Sequence, residues 1–282
     1  MNKNFGRIFF LNQYYKMAYG NRRFHRRGRK PYKKRKTKSR AITKIVKRVL
    51  HSNIENKQAF KAVSGIRVNS AFPTTIGGGM YPIIPEVASA ISGDNSKVGQ
   101  QIKPLSLRLG MTAFINSASG NFNGPMYFDL YVFSIKKMKD ATLYDTVGVG
   151  EVSRMFRPSL TGTDTAYDGR NYNWFQNVNQ DVINLHHKKR FKMSPTNLAA
   201  ISNLDGNWVD NYSQYSINYT LPLTKHIAKT LKYTNSIDTQ PNNCALFATL
   251  CVTKADATSN AEAPVFVGGT VAFNSCMVYE DA

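Results

Sequence analysis

No carboxylate precedes Glu55, and the first fifty residues hold eighteen Lys and Arg between Lys3 and Arg48. A segment with no acid of its own has nothing inside it to neutralise its charge, so it excludes a self-paired surface helix and calls for a polyanion. Cysteine is scarce: Cys244, Cys251 and Cys276 are an odd number without CxxC spacing. That argues against a disulfide framework and a zinc ribbon, and fits a reducing compartment with the thiols used as small apolar residues. Long hydrophobic runs are missing too. No stretch reaches the roughly 18–20 apolar residues of a membrane helix. Ile8–Leu11, behind Lys3 and Arg7, is also too short for a secretory core. Without secretion, the sequons at Asn211 and Asn218 are chance matches.

What is present divides the chain sharply. It carries 38 basic and 17 acidic residues, a formal +21. Removing the eighteen basic residues of the first fifty leaves 20 against 17, or +3. From Arg22 to Arg40, twelve of nineteen residues are basic: Arg22, Arg23, Arg26, Arg27, Arg29, Lys30, Lys33, Lys34, Arg35, Lys36, Lys38 and Arg40. Phe24, His25 and Tyr32 are interleaved among them. Such a segment repels itself and buries little, so residues 1–40 are expected to be a disordered arm. Its cations release counterions from phosphates, and its rings stack on bases. Residues 1–16 differ in composition from the run that begins at Met17, which makes Met17 an expected alternative start.

The periodicity then changes twice. Ile42, Ile45, Val46, Val49 and Leu50 recur at helical spacing, with Lys44, Lys47 and Arg48 opposite, so residues 41–54 are expected to form a short basic hinge helix that packs on the body. Beyond it the pattern alternates. Phe60, Ala62, Ile66 and Val68 are expected on one face of a strand, and Leu105 to Ile115 is an unbroken period-two series. Met126 to Ile135 is apolar almost throughout, as in a strand covered on both sides. Residues 182–193, 215–223, 246–252 and 265–279 bring the count to seven, the last long enough to be two. Helical spacing after residue 55 survives only at 140–156. Long loops at 71–101 and 137–177 point to contact-making surfaces on an all-β sandwich spanning 55–282.

No catalytic constellation emerges, so no enzyme activity and no cofactor are expected. Gly77–Gly79 lacks the Lys-Ser/Thr of a phosphate loop, and Asp164 with Asp168 lacks the closing Glu of a calcium loop. His186 and His187 are adjacent on a strand and should point to opposite faces, which argues against a shared metal. The same strand sets Lys188, Arg190 and Lys192 beside His186, opposite Ile183, Leu185, Phe191 and Met193. That cationic row has two equal readings: an extension of the arm's phosphate surface, or a strand face made soluble by lysines.

A basic arm leading into one antiparallel β-domain resembles the capsid proteins of circovirus-like circular single-stranded DNA viruses. The likeness rests on the Met17–Arg29 start, on Gly99–Leu109 leading into a strand, on His187–Met193 and on the Tyr279–Ala282 ending. The resemblance implies a single eight-stranded antiparallel jelly roll, about sixty copies in an icosahedral T=1 shell, and arms on a single-stranded DNA genome. It also implies a nuclear localisation signal read by a host import receptor, hence residence in the virion and the host nucleus, with no membrane partner. Sixty arms at +18 supply on the order of 1,100 charges, enough for roughly a thousand phosphates. The competing expectation is a cellular nucleic-acid-binding protein of ribosomal or chromatin type, although such proteins usually spread their charge over the folded domain.

Overall fold

The computed structural model describes residues 42, 44–46, 56–76, 78–90, 93–115, 126–157, 164–193, 216–254 and 267–281. The chain divides into two compact units, Met1–Leu50 and His51–Ala282. Of the first unit, residues 42 and 44–46 are described; they are helical and exposed. The arm and most of the expected hinge helix lie outside the described residues.

The second unit is strand-built. In chain order its strands are β1 (Asn56–Asn69), β2 (Tyr81–Pro82), β3 (Ala88–Ser89), β4 (Ser96–Lys97), β5 (Gln101–Ile115), β6 (Met126–Ile135), β7 (Ile183–Met193), β8 (Ser216–Pro222), β9 (Leu231–Lys232), β10 (Phe247–Lys254) and β11 (Val267–Asp281). One sheet runs β1-β11-β5-β8, with β9 added beside β5; the other runs β2-β10-β6-β7. Every pairing within these two sheets is antiparallel. Leaving aside the short β3, β4 and β9, the chain crosses between sheets at every step except β6 to β7. Eight strands in these two orders form the double Greek key of a jelly roll.

The strand missing from the count of seven is β2, two residues long and ending in Pro82. Proline cannot donate to a ladder, so it disguises an edge strand as loop. The described residues of the segment 265–279, expected to hold one strand or two, belong to the single strand β11.

A bulge at Leu105 leaves that residue half-buried and brings Ile102 into the core. From Leu107 to Ala113 β5 alternates as expected, with Leu107, Leu109, Met111 and Ala113 buried between the sheets. β1 does not. A bulge between Val63 and Ile66, with Gly65 at φ 73°, adds one residue and reverses which parity faces inward. Ala59, Ile66 and Val68 are buried, while Phe60, expected beside Ile66 and Val68, is turned outward together with Ala62. β6 is covered on both sides. Phe128, Leu130 and Val132 pack between the sheets. Tyr131, Phe133 and Ile135 pack under the connection 137–182, with Tyr144, Met155, Phe156 and Tyr167 above them. The segment expected to be helical at 140–156 supplies that cover as three consecutive short helical pieces, a 3-10 turn at Ala141–Leu143, a π-helical turn at Tyr144–Gly148 and an α-helical turn at Val149–Val152. One sheet therefore carries a second apolar layer, and the described residues place no such layer on the other.

Candidate nucleic-acid interface

The twelve basic positions from Arg22 to Arg40 lie outside the described residues. The other three expected contacts, Lys188, Arg190 and Lys192, lie on β7, the edge strand of the β2-β10-β6-β7 sheet. Their shared face holds, but the structure gives two of them work inside the fold.

Arg190 clamps Asp129 of β6: its Nε donates to Oδ1 at 2.6 Å and its Nη2 to Oδ2 at 2.8 Å. The carboxylate is fully buried, and the Tyr167 hydroxyl donates to it at 3.1 Å. Nη1 of the same guanidinium reaches Asn171 Oδ1 at 2.6 Å. Tyr127 and Trp174 sandwich the planar cation, 4.6 and 4.8 Å from its central carbon. Planarity and five donors make arginine the residue for this place. Burial works against the charge, but the hydrogen bonds and the charge of Asp129 overcome it and raise the Arg190 pKa. Lys188 donates to the Trp174 carbonyl and lies 4.4 Å from the Trp174 ring centre. Burial brings its pKa down to about 8, with Asp129 pulling the other way. Lys188 and Arg190 thus pin the 164–178 segment onto the sheet, and Lys192 is the exposed member of the row. Nothing local in the sequence identifies Asp129 as the partner, because it is an acid inside an apolar run sixty-one residues from Arg190.

The adjacent histidines also depart from expectation. One extra residue on β7, between the pairs Val132–His187 and Phe133–Leu185, makes His186 a bulge. It is aimed inward at Ser134 Oγ, 3.0 Å from its Nε2. The His186 ring then lies 4.5 Å from that of His226, tilted 42° to it, and His187 Nε2 lies 3.1 Å from the Tyr219 hydroxyl. These rings line a cleft of about 380 Å³ between the β7 edge and the end of β8, where Lys225 also sits. No group of three His, Cys, Asp or Glu set to hold a metal ion occurs among the described residues.

Burial, then His226, lowers the His186 pKa to about 4. Burial, then Lys189, His226 and Lys225, lowers that of His187, and burial with Lys225 lowers that of His226. A histidine depressed in the fold takes up its proton first in the unfolded chain. Its stabilisation is therefore complete above about pH 6.5 and is lost as pH falls toward 4. Because the ring is partly in water, His186 is assigned on the order of 1–2 kcal/mol over that window. His186→Gln is expected to remove that much of the acid sensitivity, read as the difference between variant and parent in denaturant midpoints at pH 7 and pH 4.5. Identical pH profiles would refute it.

No helix among the described residues is long and apolar enough to cross a membrane. No protein-family model matches the sequence, and no curated protein matches it either. Among solved structures, a chain from Desmodium yellow mottle tymovirus aligns at 8% identity over 81% of this chain and 88% of its own, with a TM-score of 0.30. A score that low does not establish a shared fold.

Proposed function

We propose that this chain is the coat protein of a small virus of the circovirus-like kind. Copies of the β-unit close into a shell of about sixty, and the basic arm condenses a single-stranded DNA genome inside it. The single observation that carries this reading is the division of charge: eighteen cations with no acid in the first fifty residues, joined to an eight-stranded jelly roll whose segment is only +3. Jelly rolls recur in viral capsid and lectin domains and in cupins. A lectin or cupin has no use for a polycationic leader, whereas a shell must neutralise the phosphates it encloses. In this reading the protein is structural and not an enzyme, its main partners are itself and nucleic acid, and the arm also carries the nuclear import signal.

The alternative, a cellular nucleic-acid-binding protein, places its cations on the folded face that meets the ligand. Electron microscopy of the purified protein separates the two. A body of about 228 residues has a radius of gyration of about 17 Å, so sixty of them close into a shell roughly 20 nm across. Uniform particles of that size are the expected result. Monomers at every salt concentration and pH tried would reject the proposal.

A further inference from the structure

The outer face of the β1-β11-β5-β8 sheet has the makings of a second nucleic-acid surface, separate from the arm. Cross-strand register sets its side chains in rows. Phe60, Cys276 and Arg108 stand side by side on β1, β11 and β5. Arg67, Thr270 and Phe114 form a parallel row six residues further along β5. Phe60 and Phe114 are 45% and 44% exposed, high values for rings on strands of a sandwich, and both arginines are exposed as well. At about 3.4 Å per residue the two rows are about 20 Å apart along the strands.

Between them lies a groove of about 530 Å³ crossing all four strands. Ala62, Gly110 and Ala272 keep its floor low, while Thr112, Asn218 and Asn274 bring amides and a hydroxyl to it. Asn218 accepts from Thr112 through its amide oxygen at 2.8 Å, so its amide nitrogen is the group left to donate. The two rows and the floor between them hold no carboxylate. Glu280, further along this face of β11, is ion-paired with Lys103 at 2.8 Å.

We propose that this face binds single-stranded nucleic acid. Phe60 and Phe114 stack on bases at either rim, Arg67 and Arg108 meet phosphates beside them, and the small-residue floor admits the backbone. The proposal rests on the packaging function and assigns it a second, ordered contact. Four features agree: two exposed rings, each with an arginine in its row, a groove open across the sheet, and no acid to repel a phosphate. Stacking on a β-sheet platform is tolerant of sequence, because every base has a π-face.

Cys276 reports on the site, since it lies in the row between Phe60 and Arg108. In the full-length protein, an oligothymidylate of about fifteen nucleotides, a length within the range of single-strand sites, should slow alkylation of Cys276 by N-ethylmaleimide about tenfold. The rate is read peptide by peptide in mass spectrometry, with the buried Cys251 as internal reference. Phe60→Ser with Phe114→Ser should abolish that protection. Arg108→Gln should lower the slope of log affinity against log salt by about one. Both rings are exposed, so these variants should fold, and an unchanged thermal transition verifies that. If the oligonucleotide binds but Cys276 reacts at its unprotected rate, this face is not a site and the arm alone holds the strand. If Cys276 is already shielded without oligonucleotide, another copy of the chain covers the face and the proposal fails. Absence of any oligonucleotide binding overturns this site and the packaging function together.

Discussion

Arg190→Ala is expected to abolish the folded β-unit at 37 °C, or to lower its stability by about 3–5 kcal/mol. The reason is what remains behind. Asp129 has no exposed side-chain surface, and its carboxylate oxygens receive two of their three donors from Arg190. Removing one member of a buried pair strands the other charge in a medium that cannot solvate it. Arg190→Lys should recover little, because a single ammonium cannot make the bidentate contact, reach Asn171 and lie flat between Tyr127 and Trp174. Asp129→Leu combined with Arg190→Met should be far milder than either single change, since replacing both partners with apolar groups of similar size costs little or nothing. Urea denaturation of the three variants checks the ranking. If Arg190→Ala costs less than about 1 kcal/mol, the buried pair does not hold the 164–178 segment as described.

The pair also marks where local reading stops. Period two reveals β5 because its core contacts from Leu107 to Ala113 follow the pleat, an apolar run reveals β6 because it is covered on both sides, and the charge division is visible because it is a property of composition. The errors have local physical causes. A bulge changes the parity of a strand without changing its composition, so periodicity groups Phe60 on one face with Ile66 and Val68 and sends His186 and His187 to opposite faces. At β1 the signal was Gly65, whose φ of 73° favours glycine. At β7 no glycine announces the extra residue, so His186 could not be read in advance. β2 was hidden by its length and by Pro82. The candidate site was half legible for the same reason. Lys188 and Arg190 look like free cations along one strand until a loop residue twenty-three positions before Arg190, Tyr167, and the strand before that loop, with Asp129, are brought to them. The outer-face arginines are isolated in the sequence, and only the register of three strands sets Arg108 in a row with Phe60 and Arg67 in a row with Phe114.

Deleting residues 17–40 is the change expected to have the largest effect on nucleic-acid retention. It removes twelve of the eighteen N-terminal cations and none of the described strands. For a single strand each neutralised phosphate contributes about 0.7 to the slope of log affinity against log salt, so losing twelve contacts flattens that slope by about 8. At moderate salt the affinity should fall by at least about 10³-fold. The thermal transition should not move, because the described residues of the core between the sheets, from Ala59 to Tyr279, all belong to the strand-built unit. Exchanging every lysine of the arm for arginine should leave binding within a few fold, because cations that meet phosphates respond to charge and carry no base readout. Replacing the same twelve positions by glutamine should reproduce the deletion. Gradient-purified particles of the deletion variant that still hold a full complement of DNA would show that the folded unit retains the genome without the arm. In that case the outer sheet face, with Phe60 and Phe114, becomes the main contact.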